Sequence, residues 1–205
     1  MSKFTVTIAR QYGSDGTEIG KMLSEKLGCD FYDRKLIEMA AKESGFDPAV
    51  LENIDEKATS SLLYSLSYGH SLANDGLSRI NLPLNDKLYA IQSTIIRNIA
   101  DGEKSAVIVG RCADYVLADH PDAVRIYIFS DFDRRVERVA GRRGLSISKA
   151  KDEVIRVDKK RAGYYNYYTG RKWGRIENYD LVINVDKTGK DGAVDVILAY
   201  LNSAV

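Results

Sequence analysis

The first stretch of this sequence that could do chemistry is the turn RQYGSDGTE at residues 10–18, between an apolar segment and a helical pattern. Gly13 and Gly16 let backbone amides turn inward, and the following helix directs the N–H groups of its first turn toward the loop. Such a loop can hold the negative charges of phosphate groups. A plain connection between a strand and a helix is the alternative.

Gly110 and Arg111 form a second candidate, directly after the apolar run AVIV at residues 106–109. If that run is a central parallel strand, its carboxyl end opens on the crevice in which α/β sheets bind ligands. An arginine at this point would face the ligand, or else form an ion pair on the surface.

An arginine-rich segment is the third candidate, with Gly141 and Gly144 beside it for mobility. Planar, permanently charged guanidinium groups suit phosphate, and phosphoryl transfer needs such charges around the group that moves. Arg138 and Arg142 are four residues apart and share a face if the helix persists. A solvated basic face is the alternative. The segment contains Arg134, Arg135, Arg138, Arg142 and Arg143.

Asp158 and Arg161 are three residues apart on a helical pattern, so they can meet across one turn. They could hold a base or a phosphate, or simply pair with each other. The stretch YYNYY at residues 164–168 follows, and its adjacent tyrosines cannot all face one way on a helix. Packing with hydroxyl contacts to neighbours is one interpretation, and base stacking is the other.

Hydrophobic periodicity predicts the elements that must position these residues. Apolar or β-branched runs predict strands at 4–9, 29–32, 106–109, 124–129 and 181–185. Helical spacing predicts helices at 17–27, 33–45, 88–99 and 193–201. Ser130 with Asp133 resembles a capping box that opens one further helix. Because strands alternate with helices, we expect an α/β fold with a mostly parallel sheet and helices on both faces.

Residues 58–85 are the least regular stretch, with Ser, Gly, Asn and Tyr mixed among scattered leucines. Because apolar residues remain, we interpret it as a partly helical insertion or cap within a single domain at 1–205. Its leucines give enough apolar area to cover a ligand, to form a homodimer surface, or both. They are Leu62, Leu63, Leu66 and Leu72.

Composition argues against several classes of protein. The 205 residues carry a formal net charge of +1, so no global positive field favours nucleic acid as a partner. No run approaches the roughly 18 apolar residues that a membrane span requires, and the start MSKFTVTIAR has no apolar signal segment. Cys29 and Cys112 are far apart and offer no zinc pattern. We therefore expect a cytoplasmic protein with reduced thiols.

Taken in order, these parts resemble the cytidylate kinase-like family among the P-loop nucleoside monophosphate kinases. The resemblance is carried by GSDGTEIG, LSEKLG, FYDRKLIE, VIVGRCADYVL, VRIYIF with the arginine helix, DKKRAGYY and YDLVINV. It extends from about Thr5 to about Leu201. It implies a P-loop nucleoside-triphosphate-hydrolase-like fold of the nucleoside monophosphate kinase type. It also implies transfer of the ATP γ-phosphoryl group to a nucleoside monophosphate, with ATP, Mg²⁺ and nucleotide substrates.

Carried over by motif, the resemblance assigns the loop to the phosphates of the donor. The residues concerned are Gly13, Ser14, Asp15, Gly16, Thr17 and Glu18, of which Thr17 would also reach Mg²⁺. A lid region is implied, which we place at 141–148. The lid arginines Arg138, Arg142 and Arg143 would be catalytic, and Arg10 is a further catalytic candidate that comes from the loop's own sequence and not from the resemblance.

The acceptor site is implied by three further matches. Asp33 and Arg34 match the start of the monophosphate-binding helix. Gly110 and Arg111 match a glycine–arginine pair of the acceptor site. The Asp-x-x-Arg element near the acceptor is matched by Asp158 and Arg161.

The loop departs from the P-loop pattern G-x-x-x-x-G-K-S/T. Arg10 stands at the first glycine, Asp15 at the second and Gly16 at the lysine, while Thr17 fits the hydroxyl position. Cys112 stands where the family has an aspartate, and Met39 stands where an arginine is expected.

Three hypotheses follow from these departures. The first is an active kinase in which Arg10, Lys21 or a lid arginine supplies the missing charge. The second is a nucleotide-binding regulator without turnover. The third is a kinase of a small molecule other than a nucleotide, which the altered acceptor residues suggest.

Overall fold

A computed structural model of the chain describes residues 3–33, 35–44 and 84–204. Arg34, one of the expected acceptor residues, lies outside these ranges, and so do residues 58–83 of the expected insertion. Residues 84 and 85 begin a helix instead of ending an irregular insertion. The helix starts there because the apolar spacing continues one turn further back, from Leu88 to Leu84.

The strands of the described ranges form one parallel sheet in the order β2-β3-β1-β4-β5. They are β1 (Thr5–Arg10), β2 (Asp30–Tyr32), β3 (Ala106–Val109), β4 (Ala123–Phe129) and β5 (Leu181–Asn184). β1 pairs with both β3 and β4, so that Thr5 lies opposite Ala106 and Ala123. β3 is buried along its whole length, as its unbroken apolar run predicts. Because all the pairings are parallel, the carboxyl ends of the strands meet at one edge of the sheet.

Helices cover both faces of the sheet, which confirms the predicted architecture. One face is covered by α1 (Gly16–Leu27) and α7 (Val185–Ala204), which share a hydrophobic cluster with β1 and β4. The other face is covered by α2 (Lys35–Ser44), α3 (Leu84–Asp101) and α4 (Ala113–Val116). α5 (Phe132–Arg143) and α6 (Ile147–Thr169) pack on each other, and Tyr12 of the loop after β1 joins their apolar contact.

Two helix starts differ from the sequence predictions. The expected capping box of Ser130 and Asp133 is wrong, because α5 begins at Phe132 with Asp131 as its N-cap residue. The Ser130 hydroxyl donates instead to the Asp186 carboxylate (2.9 Å), and no local pattern indicates so distant a partner. The last helix begins at Val185 instead of residue 193, and its backbone leaves helical geometry at Gly189 (φ 66°, ψ 178°).

Neither membrane spans nor disulfides are found in the described ranges. None of the helices there is long and apolar enough to cross a bilayer. Cys29 and Cys112 are both free thiols, and burial raises the pKa of each.

Candidate functional site

The loop between β1 and α1 forms one wall of a cleft at the carboxyl edge of the sheet. Its backbone is held by hydrogen bonds from the Gln11 amide to the Ile128 carbonyl (3.1 Å) and from the Ser14 amide to the Gln11 carbonyl (3.3 Å). Asp15 has a left-handed backbone (φ 63°), and α1 begins at the next residue. Amides in the first turn of a helix have no acceptor within that helix, so they present positive partial charge to the cleft.

The cleft has a volume of about 390 Å³, which is in the range of small-molecule sites. It is lined by residues 10–13 and 15–18 together with Lys21, Phe31, Arg142 and Arg161. Ser14 is the loop residue whose side chain does not line it. Its hydroxyl is buried and donates to the carbonyls of Gln11 (2.8 Å) and Ile128 (3.2 Å), so the Ser14 side chain supports the loop.

The side chain of Arg10 passes from the end of β1 across Gly16 to Gly110. A Cβ atom at Gly16 would lie 2.5 Å from Cβ and 2.9 Å from Cγ of Arg10, closer than real side chains approach. A Cβ atom at Gly110 would lie too close to Nη1 of Arg10 for both atoms to be accommodated. Gly110 also has a φ of 79°, a conformation that glycine adopts without strain. The path of Arg10 therefore requires glycine at both positions.

Arg10, Asp33, Arg111 and Arg161 form a group that we call the β3-side cluster. Nη2 of Arg10 lies 3.7 Å from Oδ1 of Asp33, and Nη1 of Arg161 donates to the Arg10 carbonyl (3.0 Å). Burial lowers the pKa of Arg10 to about 9; repulsion from Arg161 and Arg111 adds to this effect, and Asp33 opposes it. Burial also lowers the pKa of Arg161. Of the residues that the resemblance assigns to the acceptor, the structure brings Asp33, Arg111 and Arg161 together around Arg10, whereas Asp158 contacts Arg135 and Tyr12 instead.

A second group, the β4-side network, comprises Asp15, Arg135, Arg138, Arg142, Asp158 and Asp186. At its solvent side, Arg142 pairs with Asp15 (2.5 Å) and lies 3.7 Å from Glu18. Lys190 pairs with Glu18 (2.6 Å), and this hydrogen bond lowers the pKa of Glu18. The carboxylate of Asp15 is therefore neutralised by an arginine of α5.

Arg138 lies at the centre of the β4-side network. It pairs with Asp186 and donates to the carbonyl of Gly13 (3.0 Å) and the hydroxyl of Ser130 (2.8 Å). Burial alone would raise the pKa of Asp186, but hydrogen bonds from the Asp131 amide, the Ser130 hydroxyl and Arg138 lower it. Arg138 and Arg142 both approach Asp15, as their helical spacing predicts.

Arg135 and Asp158 form the buried part of the same network, and this pair holds the loop in place. Arg135 is 6% exposed and pairs with Asp158 (2.5 Å) while donating to the Tyr12 carbonyl (3.1 Å). Asp158 also accepts from the Tyr12 amide (2.8 Å). Sequence reasoning gave Arg135 no separate role, although its spacing with Val136 and Val139 places it on the inward face of α5. Asp158 accepts hydrogen bonds from Arg135 and Tyr12, whereas Arg161 donates its hydrogen bond to the carbonyl of Arg10.

Arg143 is directed away from the cleft. It pairs with Glu153 of α6 (2.7 Å), whose carboxylate also accepts from the Tyr12 hydroxyl (2.7 Å). Arg143 ends α5, and α6 starts at Ile147 after a turn at Gly144 with positive φ. The lid expected at 141–148 therefore spans the joint between these two helices.

The tyrosines of α6 are used for packing and hydroxyl contacts, which confirms one of the two interpretations. Tyr168 stacks on Tyr89 with ring centroids 4.2 Å apart, and its hydroxyl donates to Asp86 (2.9 Å). The Tyr165 hydroxyl donates to the buried carboxylate of Asp114 (2.7 Å). Burial raises the pKa of Asp114 to about 6, although the Tyr165 hydrogen bond opposes this shift. No sequence signal marks Asp114, because its burial arises from the packing of α4 beneath α6.

The residues of the loop suit phosphate groups, and they offer Mg²⁺ a single hydroxyl. The amides of the first turn of α1 and the guanidinium of Arg142 can oppose phosphate charge. In the described ranges no group of three or more His, Cys, Asp or Glu side chains is arranged for a metal. Thr17 lines the cleft, and phosphate oxygens and water would complete the shell of a magnesium ion held there, as Mg²⁺ prefers.

Known sequences that resemble this chain are consistent with such a site. The model of the cytidylate kinase-like family matches residues 5–187. A cytidylate kinase of Sulfurisphaera tokodaii is 30% identical over 132 residues, which are 62% of this chain and 73% of that protein. A cytidylate kinase of Archaeoglobus fulgidus is 25% identical over 199 residues, 94% of this chain and 92% of that protein. A uronate isomerase of Corynebacterium glutamicum is 30% identical over 147 residues, but the match spans only 28% of that protein.

Solved structures also resemble this fold. A crystal structure of an uncharacterized protein from Eubacterium ventriosum has a TM-score of 0.72 and 28% identity, and the match covers 98% of this chain and 99% of that one. A shikimate kinase from Bacteroides thetaiotaomicron has a TM-score of 0.53 and 13% identity, with 97% and 98% covered. At that identity the second likeness shows a common fold and nothing about activity or substrate.

Proposed function

This chain belongs to the cytidylate kinase-like family, and from that premise we propose that it transfers the γ-phosphoryl group of ATP to a nucleoside monophosphate. The observation that carries the proposal is the cleft that is lined both by the loop after β1 and by Arg10 and Arg161 of the β3-side cluster. The loop amides suit the phosphates of a donor. The arginines of the cluster suit the phosphate of an acceptor.

The proposed reaction makes limited demands on side chains. An oxygen of the acceptor phosphate bonds to the γ-phosphorus while the bond to the β–γ bridging oxygen breaks, and ADP leaves. The second pKa of a phosphate monoester is about 6, so the nucleophile is already ionised at pH 7. Catalysis then depends on positioning and on charge around the moving group.

We assign the donor phosphates to the backbone amides of Gly13, Gly16 and Thr17, at the start of α1. The Thr17 hydroxyl would hold Mg²⁺, which when bound neutralises charge on the phosphates. Arg142 is half-exposed at the edge of the cleft, so it can exchange Asp15 for a phosphate without unfolding anything. Arg138 would fix the loop through the Gly13 carbonyl. Arg143 can act only after it leaves Glu153.

We assign the acceptor phosphate to Arg111 and Arg161, whose charges both act on Arg10. Cys112 follows Arg111 and is buried, and its raised pKa keeps the thiol neutral at pH 7. A neutral thiol cannot accept a hydrogen bond from a base as strongly as the aspartate expected there. The nucleobase of the acceptor is therefore left for experiment to identify.

The test combines binding with turnover. Thermal unfolding would be followed with ATP–Mg²⁺ and separately with CMP, dCMP, UMP and AMP at millimolar concentration, and ADP release would be measured for each pair. A ligand at 100 times its Kd adds about 2.7 kcal/mol, which raises the Tm of a domain of this size by several degrees. We expect ATP and at least one monophosphate to raise the Tm, and that pair to release ADP.

Three results would overturn the proposal. If nucleotides raise the Tm but no pair releases ADP, the chain is a nucleotide-binding regulator. If ATP raises the Tm and no monophosphate does, the acceptor is a different small molecule. Absence of any response to ATP would reject the donor site as well.

A further inference from the structure

The positively charged side chain beside this loop is Arg10, at the end of strand β1, whereas the P-loop pattern places a lysine at the start of the helix. In the P-loop pattern a glycine precedes the turn and a lysine stands in the first turn of the helix. Here Arg10 occupies the first position and Gly16 the second. A Cβ atom at residue 16 would lie 2.5 Å from Cβ of Arg10, so a side chain at either position excludes one at the other. The two departures are thus a single exchange.

The exchange also moves the positive charge from the start of α1, where we place the donor phosphates, to the end of β3, where we place the acceptor phosphate. A lysine in the first turn of α1 would extend over the loop, whereas the Arg10 guanidinium lies against Gly110 at the end of β3. Its ion pair in the described ranges is with Asp33, after β2, at 3.7 Å. Arg161 and Arg111 are close enough to repel it. Arg10 therefore belongs to the acceptor half of the cleft.

The Arg10 side chain is arranged for an anion that the described protein groups do not supply. Its Nε atom is buried and has no hydrogen-bond partner there. Two neighbouring guanidinium groups oppose its charge, and one carboxylate at 3.7 Å offsets it. A buried cation in repulsive surroundings is costly unless a ligand neutralises it. A phosphate dianion would satisfy both the charge and the planar donor geometry.

We propose that Arg10 is a catalytic residue that binds the phosphomonoester group of the acceptor, and that Gly16 is glycine because Arg10 crosses it. This inference rests on the proposed kinase function for the identity of the acceptor, though not for the phosphate chemistry. Bound in this way, Arg10 holds the attacking oxygen in place and offsets the charge of two approaching phosphates.

Arg10→Met separates the two halves of the cleft, since methionine keeps the apolar stem and removes the charge. With the acceptor chosen above, we expect KM for the monophosphate to rise at least about 10-fold and kcat/KM to fall about 10²–10³-fold. KM for ATP should change less than about 3-fold, because the stem of Arg10 crosses Gly16 but its guanidinium group lies against Gly110. Arg175→Met is the matched control, since Arg175 is exposed and pairs locally with Glu177 (3.1 Å). It should leave both constants unchanged.

Gly16→Lys and the double variant Arg10→Gly with Gly16→Lys test the exchange itself. The single variant should lose several degrees of Tm, because its Cβ collides with Arg10. The double variant restores the usual P-loop arrangement and should recover most of that loss. A single variant as stable as the wild type would overturn the steric part of the inference.

Inorganic phosphate provides a test that does not depend on the proposed function. Calorimetric titration should show phosphate binding to the wild type and at least 10-fold weaker binding to Arg10→Met. If the wild type releases no ADP with any monophosphate but shows this difference, the kinase proposal fails and Arg10 remains a phosphate ligand. If Arg10→Met raises KM for ATP alone, or binds phosphate as the wild type does, the assignment of Arg10 is wrong.

Discussion

The two sides of the central strand use arginine in opposite ways. In the β4-side network each described arginine meets a carboxylate: Arg135 pairs with Asp158, Arg138 with Asp186 and Arg142 with Asp15. In the β3-side cluster Arg111 and Arg161 both repel the charge of Arg10, and Asp33 is the carboxylate within ion-pair distance of Arg10. Internal charge balance holds a structure together, whereas concentrated charge of one sign needs a ligand. The comparison therefore separates arginines that pair with carboxylates around the loop from Arg10, which we propose binds a ligand.

Arg135→Met should produce the largest effect on stability. It leaves Asp158 without its cation and removes the hydrogen bonds to the carbonyls of Tyr12 and Ser130. Breaking a buried pair from one side costs about 3–5 kcal/mol, so the Tm should fall by roughly 10 °C or more. Thermal unfolding followed by circular dichroism measures this change.

The matched control for Arg135 is Arg134→Met, which should change stability by less than about 0.5 kcal/mol. Arg134 neighbours it on α5, but its side chain is 67% exposed and lies near Glu137. Arg10→Met without ligand should also leave the Tm unchanged or raise it, because it relieves repulsion in the β3-side cluster. A large loss of Tm for Arg10→Met would break the distinction between the two sides.

The pH dependence of stability should show a second contrast between buried carboxylates. The pKa of Asp114 is raised to about 6 by burial, while Tyr165 and, more weakly, Arg171 favour the charged form. The folded state therefore binds a proton that the unfolded state has released above about pH 4, so stability falls as pH rises from about 4 to 6. A rise of about two units in the pKa of Asp114 corresponds to at most about 3 kcal/mol of stability lost across this pH range.

Asp114→Asn keeps the acceptor for the Tyr165 hydroxyl and removes the titration. Urea unfolding at pH 4.5 and 7.5 should show that this variant gains stability relative to the wild type at the higher pH. The exposed Asp119→Asn is the control and should follow the wild type at both values. Asp186, with its lowered pKa, acts in the opposite direction, since its contribution is lost on acidification below about pH 4. An unchanged slope in Asp114→Asn would contradict the assignment.

The smallest effect is expected where the two arginines at the end of α5 are compared. Arg142 lines the cleft beside Asp15, whereas Arg143 points at Glu153. Because Arg142 is about half-exposed, Arg142→Met should weaken ATP binding only about 5-fold, and Arg143→Met less than about 2-fold. Titration of the Tm with ATP–Mg²⁺ compares the two variants. Equal losses would show that the lid rearranges to bring Arg143 to the donor.

Local patterns were sufficient for most of the sheet. The unbroken apolar run of β3 predicts a central strand because burial on both faces favours apolar residues, and the short β-branched run of β1 predicts a strand. They did not predict the start of α5, because Ser130 binds Asp186 in the first turn of α7 instead of capping the helix. The sequence left open whether the tyrosines of α6 pack against the protein or stack on a base. The stacking of Tyr168 on Tyr89 of α3 shows that this tyrosine is used for packing.

The sequence by itself determined the parallel α/β fold, the glycine-containing loop between β1 and α1, and the presence of Arg10 and Gly16 where the P-loop pattern has a glycine and a lysine. Each depends on residues that are near in the chain, where spacing sets burial and backbone freedom. Tertiary structure alone decided which arginines are neutralised and which are concentrated. Arg135, Arg138 and Arg142 are indistinguishable by sequence pattern on one helix. The carboxylates that pair with them are Asp158, Asp186 and Asp15, which lie on other elements. Charge pairing is set by distance in space, which no local pattern encodes.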